Sequence, residues 1–292
     1  PWSVSLLIRS AILPPALTHP ATGYVPRMQP LANIAAMAAR KGGDMLLRQL
    51  NRLDRIKVET KGRNDFVSEA DHQAEAVIVD TILHHYPDHA ILAEEGGARG
   101  ESDHVWIIDP LDGTTNFLHG FPVFCVSVGL RIRGRLEHGV IYDPLRQELF
   151  TASRGEGAQL DGRRIRVANR RSLADALIGT GFPYRGGTAG LDPYMALLKD
   201  VIRSSAGVRR PGAAALDLAY VAAGRLDGFW ETGLKPWDLA AGALMIREAG
   251  GIISGLDGSE DFMETGHVLA GSPKIYAALA RLTAGHVRDL LV

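Results

Sequence analysis

The stretch of sequence with the clearest chemical character is residues 106–117, which read WIIDPLDGTTNF. An apolar run ends there in Asp109 and Asp112, which are followed by a glycine and two threonines. Carboxylates are costly inside a protein unless they are paired or bind a metal, so two of them at a strand end predict a cation site. Mg²⁺ prefers such oxygen ligands, and the N–H groups of a Gly-Thr-Thr turn can face an anion. A cation beside an anion site indicates phosphoryl chemistry, although Asp-Pro and Asp-Gly pairs are also common in plain loops.

Acidic residues at two other places could contribute to the same site. Glu94 and Glu95 follow the short apolar run 90–93, and Asp238 immediately precedes a predicted apolar helix. Each has an ordinary explanation, because adjacent acids often occupy solvated loops and an aspartate before a helix is usually its N-cap. On local sequence alone the N-cap is the better interpretation of Asp238. A shared metal site requires these acids to converge with Asp109 and Asp112, which spacing along the chain cannot establish.

A covalent phosphoenzyme is not expected from this sequence. Cys125 and Arg131 have the C-x5-R spacing of cysteine phosphatases, but the residues between them alternate like a half-buried strand. Cys125 is therefore expected to be a small core residue. The Asp109-x-x-Asp112 spacing differs from the D-x-D of phosphatases with an aspartyl nucleophile. The sequence also lacks the G-x-x-x-x-G-K motif of nucleoside triphosphatases.

With these residues in view, the sequence resembles the inositol monophosphatase family, a group of lithium-sensitive, magnesium-dependent sugar phosphatases, and in particular its bacterial inositol-1-monophosphatases. The first matching motif is 106–117 with GFP at 120–122, and the second is WDLAAG at 237–242 with EAGG at 248–251. The resemblance extends from residue 28 to the C-terminus. It implies hydrolysis of myo-inositol monophosphate by metal-activated water without a covalent intermediate, with two or three Mg²⁺ per active site.

The resemblance also implies a role for individual residues. The implied metal ligands are Glu94, Asp109, the backbone carbonyl of Leu111, Asp112 and Asp238, with Glu95 helping to hold an outer ion. Glu94 and Thr114 would position the attacking water, and Asp71 would support Thr114. Lys61 matches a loop lysine near the active site. The implied contacts to phosphate and substrate are Gly113, Thr114, Gly212, Ala214, Glu231 and Asp238.

Two alternatives stay open beside this interpretation. Related phosphatases act on histidinol phosphate, fructose 1,6-bisphosphate or nucleoside 3′,5′-bisphosphates; Trp237, Glu231 and the loop 210–217 favour inositol monophosphate. The second alternative is not an enzyme but a regulatory factor on the same fold that binds RNA or a protein. Its candidate surface is a basic cluster, Arg163, Arg164, Arg166, Arg170 and Arg171, which is more simply explained as a solvated loop.

Hydrophobic periodicity predicts the elements that position these residues. In the first half, helices beginning at Leu31 and covering 70–86 are expected to pack on an antiparallel sheet of strands 90–93, 105–108, 123–133, 136–142 and 148–152. In the second half, the pattern predicts helices 193–203, 213–223, 239–249 and 273–282 and strands 174–181, 226–230 and 251–254. The predicted fold class is α/β of the layered α+β kind, an alternating α-β-α-β-α sandwich. Its N-terminal half, 28–165, would carry the main metal site, and the C-terminal half, 166–292, the substrate loop and Asp238.

Composition limits the class of protein further. The chain has 292 residues, 46% hydrophobic and 22% charged, and a net charge of −1. That charge gives no global attraction to nucleic acid or an anionic membrane, and no apolar run approaches the roughly 20 residues that span a bilayer. A single cysteine suits a reducing compartment, so a cytoplasmic protein is expected. The resemblance to the family implies a homodimer that acts on a small phosphate monoester. Residues 1–27 are expected to be an extension outside the fold, either sequence upstream of a native start at Met28 or an acid-poor targeting peptide.

Overall fold

The computed structural model describes residues 28–53, 58–62, 65–183 and 190–290, with the backbone alone for 58–62 and 65–67. The helices in these ranges are α1 (Pro30–Leu50), α2 (Glu69–His85), α3 (Thr114–Leu118), α4 (Leu191–Ser204), α5 (Ala214–Ala222), α6 (Pro236–Glu248), α7 (Phe262–Thr265), α8 (Pro273–Thr283) and α9 (Val287–Leu290). The strands are β1 (Val58–Gly62), β2 (Asp65–Ser68), β3 (Ala90–Ala93), β4 (Gly97–Arg99), β5 (His104–Asp112), β6 (Cys125–Ile132), β7 (Arg135–Asp143), β8 (Glu148–Ser153), β9 (Gly157–Leu160), β10 (Arg163–Ile165), β11 (Leu177–Thr180), β12 (Gly207–Arg209), β13 (Gly228–Glu231), β14 (Ile252–Ser254) and β15 (Val268–Gly271).

Two large sheets organise the described residues. The first has eight strands in the order β10-β9-β8-β7-β6-β5-β3-β4, and the second has five in the order β12-β11-β13-β15-β14. The first sheet is antiparallel as predicted except at one pair, because β3 and β5 run parallel. The parallel direction has a simple cause. Strand β4 runs antiparallel along one edge of β3, which returns the chain to the end where β3 begins. From there β5 pairs with the other edge of β3 and runs in the same direction. The pair brings the ends of β3 and β5 to the same edge of the sheet.

Three hydrophobic clusters fill the spaces between five layers. One joins α1 and α2 to the first sheet, the next joins that sheet to α5, α6 and the second sheet, and the third joins the second sheet to α4 and α8. The predicted α-β-α-β-α sandwich is therefore confirmed. Helices α5 and α6 form its middle layer and carry residues of the candidate site toward the first sheet.

Glycines let α6 lie unusually close to the first sheet. A Cβ atom on Gly129 would lie 2.8 Å from the Cβ of Ala240, and one on Gly139 would lie 2.8 Å from the carbonyl oxygen of Ala241. On the opposite side of α6, a Cβ on Gly242 would lie 2.5 Å from the Cβ of Leu218 on α5. The helix that carries Asp238 is thus held by close backbone contacts on both faces.

Replacing Gly139 with alanine should destabilise the protein by about 1–3 kcal/mol, the usual cost of overpacking a well-packed core. The atoms that the new methyl group would meet belong to the backbone of Ala241 and cannot rotate away. Urea unfolding measures the change. Gly207→Ala is a matched control in β12, because the nearest atom to its methyl group would lie 3.4 Å away. Equal stabilities of the two variants would contradict the proposed close packing.

Some predicted elements differ from those observed. The strand predicted over 174–181 is shorter, because a 3-10 helix occupies Leu173–Asp175 and β11 begins only at Leu177. Ser172 caps that turn by accepting a hydrogen bond from the N–H of Ala174, a local interaction that competes with strand formation. Residues 1–27 lie outside the described residues, and the division into halves at 165/166 stays a prediction. Among the described residues, no helix is long and apolar enough to cross a membrane.

Candidate functional site

Three buried carboxylates from distant parts of the chain meet at one point. Asp109 and Asp112 come from the end of β5 and Asp238 from the first turn of α6, and their side chains are 1%, 7% and 5% exposed. One oxygen from each lies within 4.8 Å of the others, an arrangement that could hold a metal ion. The convergence that sequence spacing could not establish is therefore present, and we call Asp109, Asp112 and Asp238 the carboxylate cluster.

A bulge explains how two residues three apart on a strand can share a site. In a regular strand such residues point to opposite faces. Asp109 pairs with Ser127 and Asp112 with Cys125, so β5 contains one residue more than β6 between these pairs. The extra residue reverses the alternation, and the N–H of Leu111 donates to Oδ1 of Asp109 at 2.9 Å across the bulge. Cys125 is fully buried, as predicted for a core residue.

The N-cap interpretation of Asp238 is wrong. Helix α6 begins at Pro236 after the cap residue Lys235, because proline suits the first helical turn, where no intrahelical donor is needed. Asp238 is the third residue of the helix, and its Oδ2 accepts a hydrogen bond of 2.7 Å from the N–H of Lys235. One oxygen of the same carboxylate lies within 4.8 Å of an oxygen of Asp109 and of Asp112.

The charges of the carboxylate cluster oppose one another. Burial raises the pKa of Asp109 well above its ordinary value, and the charges of Glu94, Asp112 and Asp238 raise it further. Burial likewise raises the pKa of Asp112 to about 7, with the charge of Asp238 adding to the rise. A divalent cation would relieve this repulsion, and the oxygen donors are those that Mg²⁺ prefers. The residues present therefore fit such an ion.

This electrostatic strain should make stability depend on pH and on Mg²⁺. The pKa of Asp112 rises from an ordinary value of 3.8 to about 7 on folding, so the folded state binds more protons than the unfolded state between these values. The free energy of unfolding should therefore fall as the pH rises through that window. In EDTA we expect a lower melting temperature at about pH 8 than at about pH 5, and MgCl₂ should stabilise the protein more at the higher pH. Differential scanning fluorimetry measures both effects; equal stabilisation by Mg²⁺ at the two pH values would contradict the prediction.

A second pair of polar residues lies beside the carboxylate cluster. The hydroxyl of Thr114 lies 3.1 Å from Oδ1 of Asp71 and 3.1 Å from the carbonyl oxygen of Leu111. Asp71 is fully buried in the first turn of α2, and its Oδ2 accepts hydrogen bonds from the N–H and the hydroxyl of Ser68. The link between Asp71 and Thr114 that the resemblance implied is thus present in the structure.

Glu94 and Glu95 occupy the turn 94–96 between β3 and β4. The N–H of Glu94 donates to the carbonyl oxygen of Ile108, directly before Asp109, and the charge of Glu94 raises the pKa of Asp109. The charge of Glu95 contributes to the raised pKa of Asp71, of which burial is the main cause. Both acids therefore lie within electrostatic reach of the site. Lys61 lies in β1, but its side chain is outside the described residues.

The loop 211–213 and the first residues of α5 lie against the end of β5. The N–H of Ala215 donates to Oδ2 of Asp112 at 2.7 Å, and Asn116 donates to the carbonyl oxygen of Pro211 at 2.8 Å. Gly113 has a φ of 97°, and a Cβ on it would lie 3.3 Å from the carbonyl oxygen of Gly212. The predicted phosphate and substrate residues Gly113, Thr114, Gly212 and Ala214 are thereby brought together beside the carboxylate cluster.

Asp217 ends the predicted loop 210–217, but the sequence interpretation gave this residue no role of its own. It is 1% exposed on α5, and its Oδ1 has no hydrogen-bond partner among the described residues. Burial raises its pKa well above the ordinary value, with the charges of Glu231 and Asp112 adding to the rise and that of Arg210 opposing it. Glu231 ends β13 and lies against Gly181, where a Cβ would collide with its carboxylate. The sequence signal that could have found Asp217 is that it is the single acidic residue within the apolar run 213–223.

Comparisons with known proteins agree with this architecture. A model of the inositol monophosphatase family matches residues 27–288. The Nus factor SuhB of Pseudomonas aeruginosa is 53% identical over 265 residues, which cover 89% of this chain and 98% of the relative. The crystal structure of the extragenic suppressor protein suhB from Bartonella henselae superposes with a TM-score of 0.85 at 45% identity, covering 87% of this chain and 98% of that one. The inositol monophosphatase of Anabaena (Nostoc) sp. PCC 7120 gives a TM-score of 0.78 at 40% identity, with coverages of 87% and 95%.

Proposed function

Because the chain belongs to the inositol monophosphatase family, we propose that it is a Mg²⁺-dependent phosphomonoesterase that hydrolyses myo-inositol monophosphate to inositol and phosphate. The observation that carries the proposal is the carboxylate cluster, whose three buried acids repel one another in the absence of a cation. Asp109, Asp112 and Asp238 would hold Mg²⁺, with Glu94, Glu95 and the carbonyl oxygen of Leu111 as further ligands. When bound, Mg²⁺ supplies positive charge to the phosphate and lowers the pKa of water.

Thr114 and Asp71 would orient the attacking water. When the hydroxyl of Thr114 donates its proton to Asp71, its lone pairs remain free to accept a hydrogen bond from that water. Asp71 is itself fixed by two hydrogen bonds from Ser68, so the hydroxyl has a defined orientation. Glu94 would accept the second hydrogen of the water. Side chains of this kind supply geometry and charge, which is what phosphoryl transfer chiefly requires.

Substrate contacts would come from the loops around the carboxylate cluster. The N–H groups of Gly113 and Thr114 open helix α3 and have no partner within the helix, so they are suited to bind phosphate oxygens. Gly212 and Ala214 would line the polyol, and Glu231 would accept a hydrogen bond from one of its hydroxyls. The backbones of Gly113 and Gly212 approach closely, since a Cβ atom on Gly113 would lie 3.3 Å from the carbonyl oxygen of Gly212, and this supports one continuous binding surface.

A panel of phosphate monoesters tests the activity and the substrate together. The purified protein is assayed for phosphate release from myo-inositol 1-phosphate, histidinol phosphate, fructose 1,6-bisphosphate and a nucleoside 3′,5′-bisphosphate, each with MgCl₂, with EDTA and with added LiCl. We expect the highest kcat/KM for the inositol ester, inhibition by Li⁺ and no turnover in EDTA. If another ester has a higher kcat/KM, that ester replaces myo-inositol 1-phosphate as the proposed substrate. If no ester releases phosphate, the proposed phosphatase activity is rejected.

A second candidate function is favoured by the name Nus factor, which the relative from Pseudomonas aeruginosa carries. It is a regulatory role in transcription through an RNA or protein partner. The exposed side chains of Arg163, Arg164, Arg166 and Arg171 are its candidate surface, and among the described residues none of them forms an ion pair. Arg170, the fifth member of the basic cluster, pairs with Asp227 at 3.6 Å. A salt-sensitive complex that survives Asp109→Asn but is lost in Arg163→Glu/Arg164→Glu would support this role.

We also propose that the protein acts as a homodimer in the cytoplasm, following the pattern of the family. Light scattering coupled to size exclusion measures the first point directly. A mass of one chain, about 31.5 kDa, would reject the dimer.

A further inference from the structure

Glu75 is a buried acid that no part of the proposed reaction uses. It lies on α2 one helical turn after Asp71 and is 8% exposed. Residues four apart share a helix face, so both carboxylates point from α2 toward the candidate site. Asp71 binds Thr114 on one side of that site, which raises the question of what Glu75 binds on the other side.

Both oxygens of Glu75 accept hydrogen bonds from consecutive backbone N–H groups. Oε2 lies 2.9 Å from the nitrogen of Glu95, and Oε1 lies 2.7 Å from the nitrogen of Gly96. A Cβ atom on residue 96 would lie 2.7 Å from Oε1, so glycine is needed there for the carboxylate to approach. These contacts fix the turn 94–96 to helix α2.

The turn held by Glu75 carries two acids of the site. Glu94 donates its N–H to Ile108, beside Asp109, while Glu95 directly follows it on the side facing α2. Burial, and to a lesser extent the negative charge of Glu95, disfavours an ionised Glu75, while the hydrogen bonds from the N–H groups of Glu95 and Gly96 favour it. A glutamine has only one oxygen, so it could accept from one of the two N–H groups and would turn its own N–H₂ group toward the second. The two-oxygen contact therefore requires a glutamate.

We propose that Glu75 is a positioning residue, which holds the turn 94–96 so that Glu94 and Glu95 face the carboxylate cluster before a cation binds. The inference rests on the cation site of the proposed function. Groups that orient metal ligands commonly change metal affinity by about 10- to 100-fold when they are replaced. Helix α2 would then align both Thr114 and the turn 94–96 through side chains one helical turn apart.

The test compares Glu75→Gln with a matched variant, Glu248→Gln. Glu248 also accepts hydrogen bonds from two backbone N–H groups of a turn, those of Gly155 and Gly157 at 2.8 and 2.9 Å. It lies ten positions after Asp238 on α6, about 15 Å along the helix at 1.5 Å per residue. Both variants lose a comparable structural contact, but only Glu75→Gln affects the turn beside the carboxylate cluster.

Binding of Mn²⁺, measured by electron paramagnetic resonance without substrate, is the main readout. We expect about 10- to 100-fold weaker binding in Glu75→Gln, a similar rise in the Mg²⁺ concentration for half-maximal activity, and no change in Glu248→Gln. Unchanged Mn²⁺ affinity in a folded Glu75→Gln overturns the proposal, as does an equal loss in both variants. Glu75→Asp, one methylene too short to reach both N–H groups, replaces Glu75→Gln if the latter does not fold.

Amide exchange in the wild-type protein gives a test without any variant. In the metal-free state the amides of Glu95 and Gly96 should already be protected; free exchange there overturns the positioning role. These experiments distinguish a failure of the positioning role from a failure of the proposed function. Hydrolysis with unchanged Mn²⁺ affinity in Glu75→Gln rejects the positioning role alone. Weakened Mn²⁺ binding without hydrolysis of any ester rejects the phosphatase alone.

Discussion

Replacing Asp112 with asparagine should lower Mg²⁺-dependent phosphate release by about 10³-fold or more, since charge stabilisation at such a site supplies several kcal/mol of the rate. The substitution removes one negative charge from the carboxylate cluster while keeping the size of the side chain. The amide oxygen of asparagine can still accept the hydrogen bond from the N–H of Ala215, so the protein should fold. The loss would then arise from weakened cation binding rather than from unfolding.

Steady-state kinetics at increasing MgCl₂ and circular dichroism measure these effects. Asp80→Asn, an exposed aspartate on α2, is the control for the loss of one charge and should keep the wild-type rate. In EDTA at about pH 8, Asp112→Asn should melt at a higher temperature than the wild type, because it removes a negative charge that burial and then the charge of Asp238 disfavour, the two causes that raise the pKa of Asp112. Near-normal turnover of Asp112→Asn at saturating Mg²⁺ would show that Asp112 is not a ligand of the cation.

Replacing Thr114 with valine should lower kcat by about 10²- to 10³-fold, within the range contributed by groups that position a proton or a water. Valine has nearly the shape of threonine but lacks the hydroxyl that joins Asp71 to the site. Asp71 keeps both hydrogen bonds from Ser68, so its orientation should persist. Mn²⁺ affinity should therefore stay unchanged while turnover falls, which separates Thr114 from the cation ligands.

Thr114→Ser is the matched control, because it loses a methyl group and keeps the hydroxyl. It should retain most of the wild-type rate, whereas the valine variant should not. If both variants lose activity equally, packing around residue 114 rather than its hydroxyl is responsible. If neither does, the water is oriented by other groups.

Much of the fold followed from periodicity and turn chemistry. The long helices α1 and α2 and the strands β3, β6, β7 and β8 were predicted with small errors at their ends, because their apolar spacing differs clearly between period 3.6 and period 2. Strand β5 continues to Asp112, beyond the predicted 105–108, and the short strands β4, β9 and β10 were not predicted. The parallel pairing of β3 with β5 was not predicted, since strand direction depends on how the chain crosses a sheet and not on local pattern. The strand predicted from residue 174 failed where Ser172 stabilises a turn.

The sequence by itself determined which residue types could do the chemistry: acids at strand ends, a Gly-Thr-Thr turn, and two long motifs typical of one family. Only the tertiary structure decided that these acids share a site. The bulge in β5 brings Asp109 and Asp112 to one face, the glycine contacts of α6 bring Asp238 to them, and Glu75 reaches the turn 94–96 across a gap of some twenty positions. Each of these contacts depends on non-local packing, which a pattern along the chain does not encode.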